Sequence, residues 1–539
     1  MRSSRQTPAF WLMCALVALY AAAVAVLITR QPMALPLFGM LCVGLFAALL
    51  TASRAGARLD IALPAAPDHF PLRTFALSAG LCLLVMALYL VGYYPGGYSS
   101  DSVIQWFQLS SLDFQDQHPA LHTLMLFALS RIVNSPVFLL FVQMLCFALA
   151  VGYASATLQR WHVPLALWLS FTLYLCLSPG ISNMMAFLWK DCAFSICALV
   201  LGVQLVQIHL SQGAWLRHPL HIAALAVTLC LCSILRHNGP ALTLPAAVWL
   251  FISLPAVRKR AALALLCAVA LFAGIKGPLY DAAHVQRNAG GLTETYGVPM
   301  VVLSHIYAES PESLDAETVA YLETVAPWQV YHDYDDVGDF NSIKWHLPQS
   351  DLSGYTLSQV CGYAWRAALA EPALAIEALS YLWQTPLFPF CHSYWRMSPY
   401  VDPVLGMSAA PLSEGVRRVL NALCRYSAEA PISWLFWNPG FFMLAVMLGC
   451  VLCAWRRPLS ALTLPAMLIA YNLATCMALS SPTDYRFFLS TPMLAPLCLI
   501  ALFAHPATFQ TADPLTDPER RIRPHSRHGA RRASSRPIR

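Results

Sequence analysis

Apolar runs of about 17 to 22 residues, the length an α-helix needs to cross a bilayer, recur along the whole chain. They fall near residues 10–28, 33–53, 75–92, 137–158, 164–178, 192–210, 220–235, 240–256, 261–280, 432–454, 459–480 and 489–506. Polar and charged residues gather between the runs. The pattern predicts an all-α polytopic membrane protein with about twelve transmembrane helices. The run Ala120 to Val133 is too short to span and predicts an interfacial helix. Arg2 and Arg5 precede the first run like the flank of a signal peptide, but that run is too long and leads straight through Arg30 into the next, so a retained helix is expected.

The polar intervals divide the chain. Residues 1–74 form an N-terminal helix pair with a cytoplasmic loop, and 75–280 a transmembrane core whose first external loop is 93–136. Residues 281–431 form an external, mainly helical domain, 432–506 the C-terminal transmembrane helices, and 507–539 a tail. Basic residues set the orientation. With a cytoplasmic N-terminus, the inside connections carry Arg54, Arg58, Arg73, Arg160, Arg217, Arg258, Lys259, Arg260, Arg456 and Arg457. The expected location is a bacterial inner membrane, with both termini cytoplasmic and 281–431 periplasmic. The first half of that external domain is acidic, from Glu294 to Asp339. Its second half is aromatic and proline-rich, as in Tyr381 to Phe390, and is expected to rest on the membrane surface.

Composition agrees with this pattern. Only 11% of the 539 residues are charged, too few for a soluble domain, and the mean hydropathy is +0.57, so lipid is the main solvent. Eight arginines crowd into 520–539 among Pro, Ser and His. That tail is expected to be disordered and to touch anionic lipid; a nucleic-acid partner is not expected. Most of the 17 cysteines lie inside apolar runs as small hydrophobes, and no polar C-x-x-C pair predicts a zinc cluster. Cys361, Cys391 and Cys424 fall in the external domain, where one disulfide among them is open.

Four external connections hold polar residues that a bland loop would not need. They are Pro95-Gly-Gly-Tyr-Ser-Ser-Asp101-Ser-Val-Ile-Gln105 with Asp113, Asp116 and His118; Trp189-Lys190-Asp191; Arg236-His237-Asn238; and Asp484-Tyr485-Arg486. In the expected topology all four emerge on one face, and ionisable groups at span ends are costly unless paired or facing a cavity. Each also has a plainer reading. Asp101 can cap a helix, Lys190 and Asp191 can form a local pair, and Arg236 and Arg486 can anchor spans in the interface. His118 and His122 have a metal spacing but no third ligand nearby, which favours histidines on a helix surface. A divalent metal stays open but is not indicated, and no cofactor is assigned with certainty.

Read together, the clusters bring a carboxylate, a lysine and two arginines to one membrane surface. The cations suit a phosphate or diphosphate at headgroup depth, and the carboxylate suits a general base toward a hydroxyl. Group transfer from a phosphorylated lipid carrier uses both. No Walker-type loop and no Rossmann fingerprint marks a nucleotide site.

The large acid-bearing first external loop, the many spans and the aromatic-basic signature before the last span resemble the GT-C superfamily of membrane glycosyltransferases. More closely, the Pro95–Gln105 motif followed by His118-Pro119, with Trp189-Lys190-Asp191, is similar to a group of bacterial membrane proteins usually linked to that superfamily. The resemblance runs from about residue 75 to 506. It implies a polyprenyl-phosphate-linked sugar donor, a glycan, lipid or protein acceptor, and chemistry on the non-cytoplasmic face. It also implies that Asp101 is the catalytic base and that Lys190, Arg236 and Arg486 bind the donor phosphate. Gln105, Asp116, His118, Asp191, Asn238, Asp484 and Tyr485 are supporting candidates for sugar contacts or for orienting the cations. The chain departs from several relatives in having two spans before the catalytic loop and no paired Asp-Asp or Glu-Asp. Rival expectations are a transporter or flippase of a lipid-linked sugar, a polymerase or ligase of the O-antigen type, and a non-catalytic assembly protein.

Overall fold

The computed structural model describes residues 11, 14–22, 35–55, 61–64, 69–287, 296–344, 346–347, 354–384, 389, 398–454, 459–478 and 485–506. The fold is all-α. The principal helices are α1 (Leu35–Ala55), α2 (Leu72–Gly92), α3 (Ser100–Ser111), α4 (Ala120–Ser130), α5 (Pro136–Arg160), α6 (Leu165–Leu177), α7 (Pro179–Met185), α8 (Lys190–Leu210), α9 (Pro219–Ile234), α10 (Pro240–Ser253) and α11 (Arg258–Gly274). After them come α12 (Gly297–Glu309), α13 (Ala316–Val325), α14 (Trp328–Tyr334), α15 (Leu357–Ala370), α16 (Pro372–Leu382), α17 (Glu414–Glu429), α18 (Pro439–Ala454), α19 (Leu459–Cys476) and α20 (Ser490–Phe503). One short parallel pair, β1 (Ile61–Leu63) with β2 (Ala504–Pro506), ties the start of the bundle to its end.

Every apolar run from 33–53 onward falls on a helix. Among the described residues five helical segments are long and apolar enough to cross a membrane: Leu72–Gly92, Pro136–Arg160, Lys190–Leu210, Pro255–Ala282 and Tyr485–Phe503. The pair α6 and α7, bent by 49°, makes a sixth if it is one span. The bend follows from Pro179, which cannot supply an amide to the preceding turn. In the same way the run 432–454 is split, because Pro439 starts a new helix after the short turn Ser433–Trp437. The run 261–280 passes through a π-helical stretch at Ile275–Leu279 that contains Pro278.

Helix α8 lies at the centre of the bundle, against α5, α9 and α20, while α2 packs along α5 and α10 along α19. Small residues permit these approaches. A Cβ at Gly152 of α5 would stand 2.7 Å from the Phe75 carbonyl oxygen on α2, so only glycine fits there. The outward faces stay apolar: Leu77, Leu84, Leu244, Leu266 and Val269 are exposed. Water penalises such a surface and lipid does not.

Helices α12 to α16 build a separate core around Met300, Leu303, Ile306, Tyr321, Tyr331 and Leu382, and this core also takes in Cys476 and Phe488 at the end of the bundle. Local signals start its helices. Asp315 accepts a hydrogen bond from the Thr318 amide (2.9 Å) to begin α13, and Thr356 with Gln359 forms a capping box on α15. Cys361 and Cys424 are free thiols, while Cys391 and the basic tail lie outside the described residues.

Candidate active site

The motif Pro95 to Gln105 is laid down as a short extended piece followed by α3. Gly97 and Tyr98 form the middle rung of a miniature parallel ladder, with Phe187 on one side of Gly97 and Val401 beside Tyr98. The Gly97 amide donates to Ala186 O (2.9 Å), and the Leu188 amide donates to Gly97 O (3.0 Å). On the other edge the Tyr98 amide donates to Tyr400 O (2.7 Å) and the Asp402 amide to Tyr98 O (2.9 Å). Gly97 is required sterically, since a Cβ there would stand 2.4 Å from the Phe187 ring. Trp189 stacks on Phe187 with centroids 4.0 Å apart, and its Nε1 donates to Ser99 Oγ (2.6 Å). Ser102 Oγ donates to Leu188 O (2.8 Å), and Gln143 of α5 donates to the carbonyls of Met185 and Phe187. These bonds fix the first turn of α3, which carries Asp101, against the first turn of α8, which carries Lys190.

Asp101 Oδ2 therefore accepts from two cations: Lys190 Nζ at 2.7 Å and Arg486 at 3.3 Å. Lys190 Nζ also donates to His118 Nδ1 (3.1 Å), and His118 Nε2 lies 4.0 Å from Asp101 Oδ1. All four side chains are largely but not wholly buried; Lys190 is 13% and Asp101 17% exposed. Burial alone would raise the Asp101 pKa, but Lys190, Arg486 and His118 outweigh it and hold the carboxyl well below the usual carboxylate range. Burial and the neighbouring Lys190 push His118 down to about 4, which leaves the ring neutral at pH 7.

A second ion pair supports the first. Asp191, 0% exposed, faces Arg236 at 2.8 Å. The Arg236 guanidinium also donates to Phe487 O (3.1 Å) and lies over the Phe487 ring. The Arg486 guanidinium lies over the rings of Trp189 (4.8 Å) and Phe487 (4.9 Å). Three cations, Lys190, Arg236 and Arg486, thus stand against two carboxylates, Asp101 and Asp191. Beyond them Asp116 pairs with Lys276 (2.5 Å), accepts from the Ala120 amide (2.8 Å) and is approached by Tyr280 (3.4 Å).

The four sequence clusters converge to different degrees. Asp101, His118, Lys190 and Arg486 meet directly, and Asp191 and Arg236 lie beside them. The pairing differs from a local Lys190–Asp191 bridge, because Lys190 reaches back to Asp101 and Asp191 turns to Arg236. Asp101 is no helix cap; it sits within the first turn of α3 with its carboxylate on cations. Gln105 is buried and donates to Thr123 Oγ1 (2.9 Å), while its carbonyl faces His122 Nδ1 (3.1 Å). His122 is therefore a buried core group and not a surface histidine; burial first, then Lys190, pushes it down to about 3. Asn238 donates to Thr475 Oγ1 (2.6 Å) and buttresses the helix ends, and Tyr485 is buried against Trp437. Asp484 lies outside the described residues. Among the described residues no three His, Cys, Asp or Glu side chains are grouped as a metal ion would need. Sequence reasoning passed over Lys276 and Phe487; the rarity of lysine, only four in the chain, was the available signal for Lys276.

Residues 109–336 match the model of a family of unknown function, DUF6020. No curated protein and no solved structure matches the chain.

Proposed function

We propose that this chain is a polytopic membrane enzyme of the bacterial inner membrane with about twelve spans. In this reading it is a GT-C-type glycosyltransferase that moves a sugar from a polyprenyl-phosphate carrier to an acceptor hydroxyl on the periplasmic face. The observation that carries the reading is the Asp101 carboxylate held by Lys190 and Arg486 in a largely buried cluster with surplus positive charge. Asp101 is the base. Lys190 and Arg486 hold the donor phosphate and stabilise the charge that builds on it as the glycosidic bond breaks. Arg236 holds Asp191 and completes the positive field. The lipid tail lies along the apolar outer face of the helices, and the 281–431 region shapes the acceptor side.

The test is release of polyprenyl phosphate by purified protein supplied with cell-envelope lipid extract, for wild type beside Asp101→Asn. The substitution keeps size and removes the base. The expected result is release by wild type and loss of release by a variant that is still folded and still binds donor. Equal behaviour of the two proteins removes the transferase mechanism and moves a lipid-linked-sugar flippase to first place.

A further inference from the structure

Resting on that reading of the site, the geometry points to His118 as a catalytic residue that clamps the acceptor: we infer that the acceptor hydroxyl sits between His118 Nε2 and Asp101 Oδ1. The two oxygens of Asp101 are not equivalent. Oδ2 is occupied by both Lys190 and Arg486, whereas the near neighbour of Oδ1 is the His118 ring, with Nε2 at 4.0 Å. That separation is too long for a hydrogen bond. It is spanned when one oxygen stands at hydrogen-bond distance from both atoms.

The tautomer of His118 follows from its other nitrogen. An ammonium group has three donors and no acceptor, so Nδ1, 3.1 Å from Lys190 Nζ, must accept. In the neutral ring Nε2 then carries the hydrogen. The gap thus offers one N–H donor and one carboxylate acceptor, which together fit a hydroxyl, able to do both. An acceptor without a hydrogen to give leaves Oδ1 unmatched, and an ammonium acceptor meets the N–H of His118. The site selects a neutral hydroxyl.

The step balances without a further reactant. The acceptor O–H hydrogen passes to Asp101 Oδ1, and the acceptor oxygen bonds the anomeric carbon. The bond from that carbon to the phosphate oxygen breaks, and its electron pair leaves on the lipid phosphate beside Lys190 and Arg486. A carboxylate weakened by two cations takes the proton late, as the new carbon–oxygen bond forms. The His118 N–H fixes which lone pair of the acceptor faces the sugar.

His118→Phe keeps a ring and removes both hydrogen bonds; His118→Gln keeps an acceptor for Lys190 and a donor for the hydroxyl. Both are tested beside wild type in nanodiscs, by release of polyprenyl phosphate from envelope extract and by titration of citronellyl phosphate as a donor-phosphate probe. The expected result is release slowed about 100-fold in His118→Phe, within the range for a positioned acid–base group, with citronellyl phosphate affinity changed by less than about threefold. His118→Gln should recover most of the rate. Wild-type release by His118→Phe overturns the inference. So does a His118→Gln protein as slow as His118→Phe while both bind citronellyl phosphate, since ring packing is then what matters. A wild type that neither binds citronellyl phosphate nor releases polyprenyl phosphate sinks the reading of the site itself, and the inference with it.

Discussion

Lys190 and Asp101 stand 89 positions apart in the chain, yet their charged atoms lie 2.7 Å apart, each on the first turn of its own helix. The contact is not an accident of two flexible side chains. It is set by hydrogen bonds on either side of it, between the backbone of Gly97 and that of Ala186 and Leu188, and from the Ser102 hydroxyl to Leu188 O. The site is therefore as rigid as the ladder beneath it.

The pH dependence of the proposed reaction follows from Asp101 and His118 together. Asp101 stays ionised well below the usual carboxylate range, so activity should first fall near pH 4, where His118 takes a proton and can no longer accept from Lys190. The depression of the Asp101 pKa makes the ionised form a stabilising element above the unfolded pKa of about 3.9, lost as pH falls through the folded value. Arg486→Gln removes one of the two cations on Oδ2. In the His118→Gln background, where the histidine limb is gone, its acid limb should move upward in a profile of turnover against pH, and an unmoved limb contradicts the assignment of Asp101 as base.

Arg236 and Asp191 should behave as a structural pair. Arg236→Met leaves a fully buried carboxylate without its nearest cation and should cost about 3–5 kcal/mol of stability. The double variant Arg236→Met with Asp191→Leu should recover much of that loss, because both charges are then gone. Thermal unfolding in detergent measures both; a double variant no better than the single one shows that the two residues act separately.

Gly97→Ala should damage the site through the backbone. The added Cβ meets the face of Phe187 at 2.4 Å, so either the ladder or the Phe187–Trp189 stack must shift. Overpacking of this kind costs about 1–3 kcal/mol. Phosphate release should fall more than stability, and Phe187→Leu should partly restore it. Undiminished release in Gly97→Ala argues against a tightly set Asp101.

The region from α12 to α16 should have its own pH response. His305 is buried with Nδ1 2.7 Å from Asp335; burial alone would lower its pKa, but Asp335, Glu377 and Glu309 prevail and raise it. Asp339 is raised by burial to about 6. Both groups bind protons more tightly in the folded state, so stability should decline as pH rises, first toward pH 6 through Asp339 and then above about 6.5 through His305. Hydrogen exchange in α12 should speed up accordingly between pH 6 and 8 after correction for the intrinsic rate, and His305→Gln should flatten the upper part of that change.

The helices were legible because a span must be apolar along its whole length, a signal that one chain carries by itself. Their breaks were legible less well. Pro179 and Pro439 fall inside apolar runs, where hydropathy does not register a missing amide. The site was legible as residue types at span ends, since Asp101, Lys190 and Arg486 have no cheap alternative to pairing there. Which carboxylate pairs with which cation was not legible, because it depends on contacts between helices far apart in sequence. Asp191 looks like the partner of Lys190 in the chain, but adjacent helical positions point away from each other. His122 was misjudged for a related reason: its burial depends on Gln105, 17 positions earlier, being satisfied on a facing helix.

The ladder under Asp101 has two unlike edges. On one side Gly97 is bonded to the 186–188 segment, itself held by Gln143 from within the helical bundle; on the other Tyr98 is bonded to the 400–402 segment that leads out of the large polar region. Lys190 follows the bundle-side edge, whose Phe187 also meets Tyr400 edge-on at 5.9 Å, whereas Asp101 follows the strand bonded on both sides. A shift of the polar region of a fraction of an ångström reaches Tyr98 through two peptide hydrogen bonds, and reaches the lysine one strand further on, through Gly97 and the 186–188 segment. The bond between Asp101 and Lys190 is in this sense a gauge: its length reads the position of one half of the molecule against the other.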